Sequence, residues 1–160
     1  MLDKLAPQAP DALLALIKMH AADPRSDKID LGVGVYRTNE GATPVFRAIK
    51  QAEKRLLEVQ DSKSYLGPEG DGGFVKALML YIFGDDSPLA GRIEGMQTPG
   101  GTGAVRLAVS LAAKAGVTRI HLGMPSWPNH AQILQDVGVE VVPFDHANSD
   151  GTANLDAVLG

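Results

Sequence analysis

The sequence contains no cysteine among its 160 residues, so it can form neither a disulfide framework nor a metal site with thiolate ligands. It also has no apolar run near the roughly 18 residues that a membrane span needs. Its N-terminal residues lack the charged-then-apolar layout of a secretory signal. These absences predict a protein of a reducing compartment, and we expect a cytoplasmic location without membrane contact.

An excess of basic residues is missing as well. The chain has 15 lysines and arginines against 19 aspartates and glutamates, which gives a net charge of −4. Because nucleic acids and anionic membranes attract proteins through basic surfaces, neither is expected as a partner. The four histidines lack the spacing of metal ligands, so no protein metal site is expected. Any anion must therefore be bound by a local site.

The size of the chain limits its organisation. With 44% hydrophobic and 21% charged residues, the 160 residues can bury one core of ordinary size but leave no room for two substantial domains. We expect a single domain or part of a larger one.

A glycine-rich turn separates a predicted strand over 92–98 from a predicted helix over 101–115, and it reads Gln97-Thr98-Pro99-Gly100-Gly101-Thr102-Gly103. Glycine removes the Cβ where the chain must turn sharply. The first N–H groups of a helix have no partner within the helix and carry partial positive charge, so a phosphate can bind there with the Thr102 hydroxyl as a further donor. The turn matches neither the dinucleotide fingerprint nor the Walker loop, and a tight connection explains it equally well.

The second half of the chain alternates strands and helices. Further strands are predicted over 119–123 and 140–144, with a helix over 129–137 between them. This βαβαβ order predicts a largely parallel sheet flanked by helices in an α/β fold, with ligands at the carboxyl ends of the strands.

The loop 124–130 follows the second of these strands and carries Trp127, the only tryptophan. This indole lies between two prolines and is well placed to stack on a planar ligand, and His130 could share the cavity. Packing in the core is the alternative for Trp127.

Hydrolase chemistry has little support. Ser126 is too close to His130 in the sequence to establish that the histidine acts as its base, and no Gly-x-Ser-x-Gly elbow occurs.

The first half is predicted to be mainly helical. Residues 1–10 predict an extended arm whose apolar Leu2 and Leu5 need another surface to cover them. Helical spacing of apolar residues predicts three helices with faces that pack in the core, over 11–22, 44–60 and 71–82.

Two connections in this half are candidate binding segments. A short strand is predicted over 29–36, and Gly34 within it marks either the close approach of a ligand or a bulge. Tyr65 exposes a phenol on the turn-rich loop 64–70, where binding residues tend to collect.

Four motifs occur in order along the chain: Leu31-Gly32-Val33-Gly34-Val35-Tyr36-Arg37, Ser64-Tyr65-Leu66-Gly67, the glycine turn at 97–103, and Pro125-Ser126-Trp127-Pro128-Asn129-His130. Through them the chain resembles the class I aminotransferases, in particular the aspartate and aromatic amino acid aminotransferases. The resemblance runs from near residue 1 to near residue 145 and covers less than half of a family member.

The fold that this resemblance implies is the N-terminal part of a fold-type I pyridoxal-phosphate-dependent transferase, incomplete in this chain. Residues 1–45 would form the N-terminal arm and the start of the small domain. Residues 46–160 would form the first part of the large cofactor-binding domain.

The resemblance also assigns residues to the cofactor, pyridoxal 5′-phosphate. Gly100, Gly101 and Thr102 would hold its phosphate, and Trp127 would stack on its pyridine ring. His130 would lie behind the ring and orient an acidic group that keeps the pyridine nitrogen protonated, which makes the ring an electron sink.

Substrate and subunit contacts are implied as well. The backbone of Val33 and Gly34 would border the substrate, and the indole N–H of Trp127 would reach the substrate carboxylate. Tyr65 would reach the phosphate of the neighbouring subunit's cofactor. This implies a homodimer, which also gives the N-terminal arm a surface to lie on.

The catalytic residues of the family are not among these motifs. None of the eight lysines lies in the Ser/Lys-containing context of the family's Schiff-base lysine. The aspartate for the pyridine nitrogen and the arginines for substrate carboxylates are missing too. No catalytic residue is therefore assigned to this segment, and these 160 residues alone are expected to be inactive.

The resemblance implies that the complete protein transfers an amino group from aspartate or an aromatic amino acid to a 2-oxo acid such as 2-oxoglutarate, with a dicarboxylic donor favoured. The alternative is a non-catalytic phosphate-ligand binding or scaffold protein of truncated aminotransferase fold. A nucleotide-binding α/β domain would explain the glycine turn, but it leaves Trp127, Gly34 and Tyr65 without a role.

Overall fold

The computed structural model describes residues 12–32 and 34–160. These residues form six helices and two strands: α1 Ala12–Ala22, α2 Arg47–Val59, α3 Gly72–Phe83, α4 Gly100–Lys114, β1 Arg119–Met124, α5 Pro128–Val137, β2 Glu140–Asp145 and α6 Leu155–Leu159. The predicted arm at 1–10 and the candidate residue Val33 lie outside the described residues. Of the helices described, none is long and apolar enough to cross a membrane.

The chain divides into two compact units, Met1–Lys63 and Ser64–Gly160. The first unit contains α1 and α2, and the second contains the other elements. The boundary predicted between residues 45 and 46 is a different kind of boundary, between the small and the large domain of the family fold. The division into compact units does not test it, and it stays a prediction.

In the first unit, the helices predicted over 11–22 and 44–60 are confirmed. The strand predicted over 29–36 is wrong for the described residues of that stretch, which form no β-ladder. Local polar bonds shape the segment instead. The Asp30 carboxylate accepts hydrogen bonds from the Gly32 N–H at 2.9 Å and from Arg37 Nη2 at 2.6 Å.

The second unit is built on a parallel pair of strands, in which Arg119–Met124 lies alongside Glu140–Asp145 residue by residue. Both strands occur where the alternating pattern predicts them. The crossover helix α5 starts with Pro128 in its first turn and ends at Gly138, whose φ of 88° is the left-handed conformation that terminates helices. The carboxyl ends of the two strands therefore lie side by side.

The core of this unit is the buried cluster of Val109 in α4, Leu134 in α5 and Val139 before β2. Partly buried apolar side chains pack against it: Val105, Ala113, Ile120, Leu122, Val137 and Val141. This packing joins α4 to α5 and to the strand pair, and a short connection leads from the end of α4 to the start of β1.

The strand predicted over 92–98 is wrong, which reduces the predicted βαβαβ order to βαβ in the described residues. An apolar run becomes a strand only where a neighbouring strand takes up its backbone hydrogen bonds. The described part of the chain supplies no such neighbour here. One backbone bond ties the stretch to another loop, from the Gln97 N–H to the Glu69 carbonyl at 2.8 Å.

The helical faces predicted to be core are exposed. Ile49 and Leu56 of α2 are 50% and 54% exposed, and Phe74 and Leu78 of α3 are 49% and 44% exposed. The helices themselves are correctly predicted, because apolar spacing indicates a helix with one apolar face. Their burial is wrongly predicted for the described chain, because burial needs a covering neighbour that the spacing does not specify.

Leu134 is 4% exposed, so its replacement by alanine should leave a cavity in the core of the second unit. We expect Leu134→Ala to lower the free energy of unfolding of the full-length protein by about 2–5 kcal/mol, measured by urea denaturation. The matched control is Leu57→Ala, at a residue 84% exposed on α2, which should change that free energy by less than about 0.5 kcal/mol. Equal effects of the two variants would show that this cluster is not the core.

Candidate functional site

The first turn of α4 has no side-chain cap. Its N-cap residue is Pro99, which makes no capping hydrogen bond. By contrast, Asp71 caps α3 by accepting from the Phe74 N–H at 2.7 Å, and Asn154 caps α6 by accepting from the Ala157 N–H at 3.2 Å. The Gly100 N–H donates to the Thr98 carbonyl at 2.8 Å, and the N–H groups that follow it keep their partial positive charge available for a bound anion.

The glycines of this turn have different surroundings. A Cβ at Gly100 or Gly101 would meet no atom within 4 Å, whereas a Cβ at Gly103 would lie 2.8 Å from Pro99 Cδ. A side chain at Gly103 would therefore clash with the Pro99 ring. Gly100 and Gly101, by contrast, leave open space beside their Cα atoms. The exposed Thr102 belongs to the same turn. Open space, free N–H groups and a hydroxyl together fit a phosphate-sized anion.

Trp127 and His130 lie together at the point where the chain passes from β1 into α5. Trp127 is the N-cap residue of α5, and its carbonyl accepts the His130 N–H at 2.9 Å. Their rings make an edge-to-face contact, with centroids 5.2 Å apart and an interplanar angle of 86°. Trp127 is 38% exposed, so it is not a core residue of this unit. The His130 imidazole packs against the Trp127 indole, and the exposed part of the indole can stack on a planar ligand.

Ser126 belongs to the same group, although the sequence pattern assigned it no binding role. Its Oγ lies 2.7 Å from Nδ1 of the half-buried His130. The imidazole is therefore held by the hydroxyl as well as by the indole, and Nε2 is the ring nitrogen that can reach a further group. The four-residue spacing of Ser126 and His130 at a helix start is the signal that could have identified the pair.

Tyr65 lies in the second unit, two residues before a tight turn. Its side chain is fully exposed, at 104% of the reference value. The turn is closed by the Gly70 N–H, which donates to the Gly67 carbonyl at 2.9 Å. The structure thus presents the phenol to solvent on a constrained loop.

Gly34 lies in the first unit, on an open cleft of about 740 Å³ that is also lined by Lys28, Asp30 and Arg37. A Cβ at Gly34 would meet no atom within 4 Å. The Gly32 N–H, and after it the Arg37 guanidinium, lower the pKa of Asp30, so this carboxyl stays ionised and paired. The cleft has room for a ligand beside the Gly34 backbone.

The structure thus brings Ser126 and Trp127 into contact with His130, and the first turn of α4 belongs to the same compact unit. Tyr65 belongs to the same unit, whereas Gly34 belongs to the other. Within residues 12–32 and 34–160, no group of three or more His, Cys, Asp or Glu side chains could hold a metal ion. The binding roles of the individual residues stay predictions.

Known proteins match most of this chain. A family profile described as "Aminotransferase class I and II" matches residues 26–159. The tyrosine aminotransferase of Rhizobium meliloti (strain 1021) is 54% identical over 145 residues, which cover 91% of this chain and 37% of the relative. The aspartate aminotransferase of Escherichia coli (strain K12) is 37% identical over 163 residues, covering 99% of this chain and 41% of the relative. The chain therefore spans about two fifths of the length of these curated relatives.

A solved structure is similar in three dimensions. It is an aromatic-amino-acid aminotransferase from Burkholderia pseudomallei, covalently bound to pyridoxal phosphate. It superposes with a TM-score of 0.83 at 34% sequence identity, covering 98% of this chain and 40% of that chain. The predicted fold class, part of a fold-type I transferase, is thereby confirmed.

We expect the ligand-free full-length protein to bind inorganic phosphate at the start of α4. Gly101→Val should weaken this binding by about tenfold, measured by isothermal titration calorimetry, because the branched side chain would fill the space in front of the N–H donors. The matched control is Gly72→Val, since Gly72 also starts a helix in open space but its helix is capped by Asp71. Unchanged phosphate affinity in Gly101→Val would contradict the assignment.

Proposed function

The chain belongs to the class I and II aminotransferases, and we propose that the full-length protein transfers an amino group from an amino acid to a 2-oxo acid with pyridoxal 5′-phosphate as its cofactor. The family profile supports the reaction class, and the relatives named above support it further. The similar Burkholderia pseudomallei enzyme, which is covalently bound to pyridoxal phosphate, supports the cofactor.

One observation carries the proposal: the uncapped first turn of α4 and the exposed indole of Trp127 belong to the same compact unit. The cofactor combines a phosphate with a flat aromatic ring. The phosphate fits the turn because Gly100 and Gly101 leave open space before the N–H groups that follow Gly100, whose own N–H donates to the Thr98 carbonyl. The ring fits the indole because His130 holds Trp127 at one edge and leaves part of it accessible. Both parts of the ligand thus have a matching site in this unit.

When bound, the cofactor supplies a conjugated ring that withdraws electrons from the amino acid. The turn at 100–102 would hold its phosphate through N–H and hydroxyl donors, and Trp127 would stack on the ring. Ser126 would orient His130 toward the acidic group that, by the family resemblance, keeps a proton on the pyridine nitrogen.

For the substrate we assign Val33, Gly34 and Trp127, as the family resemblance implies, with the indole N–H of Trp127 as the donor to the substrate carboxylate. The open cleft beside Gly34 supports this placement, because a side chain there would occupy the space of a ligand.

The protein works as a cytoplasmic homodimer in which Tyr65 reaches the phosphate of the neighbouring subunit's cofactor. The full exposure of the Tyr65 side chain supports this role, since the phenol is free to enter a second subunit.

Two donor classes are supported by the relatives. A tyrosine aminotransferase is 54% identical to this chain and an aspartate aminotransferase is 37% identical. We therefore assign tyrosine and aspartate as donors and 2-oxoglutarate as the acceptor. The base that moves the substrate proton is not assigned to these 160 residues, because none of their lysines lies in a matching context.

Stacking on a conjugated ring should quench the fluorescence of Trp127. Titration of the cofactor-free full-length protein with pyridoxal 5′-phosphate should therefore reduce the emission, and the difference between wild type and Trp127→Phe isolates the contribution of this residue. Pyridoxal without its phosphate is the matched control ligand, and it should need a higher concentration because it lacks the group that the α4 turn binds. Identical emission with and without the cofactor would exclude the stacking role.

Activity tests the proposal as a whole. Tyrosine and aspartate should each yield glutamate from 2-oxoglutarate with the full-length protein and its cofactor, and the 160-residue chain alone should show no turnover. A full-length protein that binds the cofactor but transfers no amino group would favour the non-catalytic binding or scaffold alternative. Steady turnover by the 160-residue chain would show that one of its own lysines is the base.

A further inference from the structure

Gln97 connects two segments of the second unit that the proposed function uses separately. Its backbone N–H donates to the Glu69 carbonyl at 2.8 Å, and its side-chain Oε1 accepts the Asp71 N–H at 2.9 Å. Both bonds come from the residue that starts the glycine turn, and both reach the loop that carries Tyr65. Gln97 therefore forms hydrogen bonds with this loop on both sides of Gly70.

The loop has no side chain at the point of contact. A Cβ at residue 70 would collide with the Gln97 side chain, whose Oε1 would lie 2.7 Å away, and Gly70 has a φ of +83°. Its N–H closes the tight turn by donating to the Gly67 carbonyl at 2.9 Å. The turn thus lies directly on Gln97.

The other end of this connection leads to the phosphate turn. The Gly100 N–H donates to the Thr98 carbonyl at 2.8 Å, and the Thr98 hydroxyl donates to the Gly100 carbonyl at 3.1 Å. These two bonds constrain the backbone between Gln97 and Gly100. A shift of Gln97 would therefore also shift the start of α4.

Tyr65 depends on such backbone anchors. Its fully exposed side chain gains no fixed position from packing, so the loop must set where the phenol points. The anchor at Asp71 is itself held, because the Asp71 carboxylate accepts from the Phe74 N–H at 2.7 Å in the first turn of α3. Loss of the Gln97 contact would let the loop move relative to the phosphate turn.

We propose that Gln97 is a positioning residue that fixes the Tyr65 loop relative to the phosphate turn of the same subunit, so that the phosphate site at α4 and the phenol offered to the neighbouring subunit keep one spacing. The inference rests on the proposed function, which supplies the cofactor and the dimer. It adds a residue that touches neither the cofactor nor the substrate.

Three variants of the full-length protein test this role. Gln97→Met has a similar length but removes the acceptor of the Asp71 N–H, and Gln97→Glu keeps an acceptor oxygen. Gln135→Met makes the same chemical change at an exposed residue of α5 and is the matched control. The dissociation constant of pyridoxal 5′-phosphate is measured by Trp127 fluorescence, and hydrogen exchange of the Asp71 amide is followed in the cofactor-free protein.

We expect Gln97→Met to weaken cofactor binding about fivefold and to speed exchange of the Asp71 amide, since it removes one hydrogen bond. Gln97→Glu and Gln135→Met should stay within about twofold of wild type, the margin within which unconnected substitutions add. In a Tyr65→Phe background, Gln97→Met should add less than about twofold, because the phenol through which it acts is already gone.

Two kinds of failure can be told apart. Equal weakening by Gln97→Met in the wild-type and Tyr65→Phe backgrounds, or no weakening in either, would overturn the positioning role while the proposed function stands. A wild-type protein that neither binds the cofactor nor transfers an amino group would overturn the proposed function, and the inference with it.

Discussion

The candidate site depends on the packing of α4 along the parallel pair of β1 and β2. Val109, Leu134 and Val139 are buried together, and this cluster connects α4 with α5 and the start of β2. The loop with Trp127 starts at the carboxyl end of β1, and the glycine turn leads into α4. One small core therefore holds together the elements that carry both candidate parts of the site.

The helices of the second unit differ mainly in how they begin. Side-chain oxygens of Asp71 and Asn154 take up an N–H of α3 and α6, whereas Pro99 offers no such oxygen to α4. Capping stabilises a helix but also occupies the N–H groups that could bind an anion. The start of α4 lacks this stabilisation. The glycines at 100 and 101 keep the start of this helix accessible. Helix α5 also begins without a side-chain cap, at Trp127, so the open space before Gly100 and Gly101 is what makes α4 the candidate for the phosphate.

Much of the fold could be predicted from local patterns. Helices α1 to α5, β1, β2 and the glycine turn were placed by apolar spacing and by turn residues, which act within a few residues. The strand predicted over 92–98 failed because a strand also needs a partner, and the burial predicted for α2 and α3 failed because it needs a cover. Ser126 and Gln97 stand in the quoted motifs but received no role for a similar reason: each makes a contact, with His130 and with the loop at Gly70, that the sequence pattern does not display.

The sequence by itself determined the family resemblance, the candidate residues and the elements that carry them, because motif order, glycine positions and helical spacing are properties of the chain read in one dimension. The tertiary structure decided which of these residues meet. It turned His130 toward Ser126 and Trp127, left the α4 turn uncapped with open space before it, and tied the Tyr65 loop to Gln97 across 26 residues. The physical reason is that a hydrogen bond or a ring contact depends on distance and direction in space, and these arise only when the helices and strands pack.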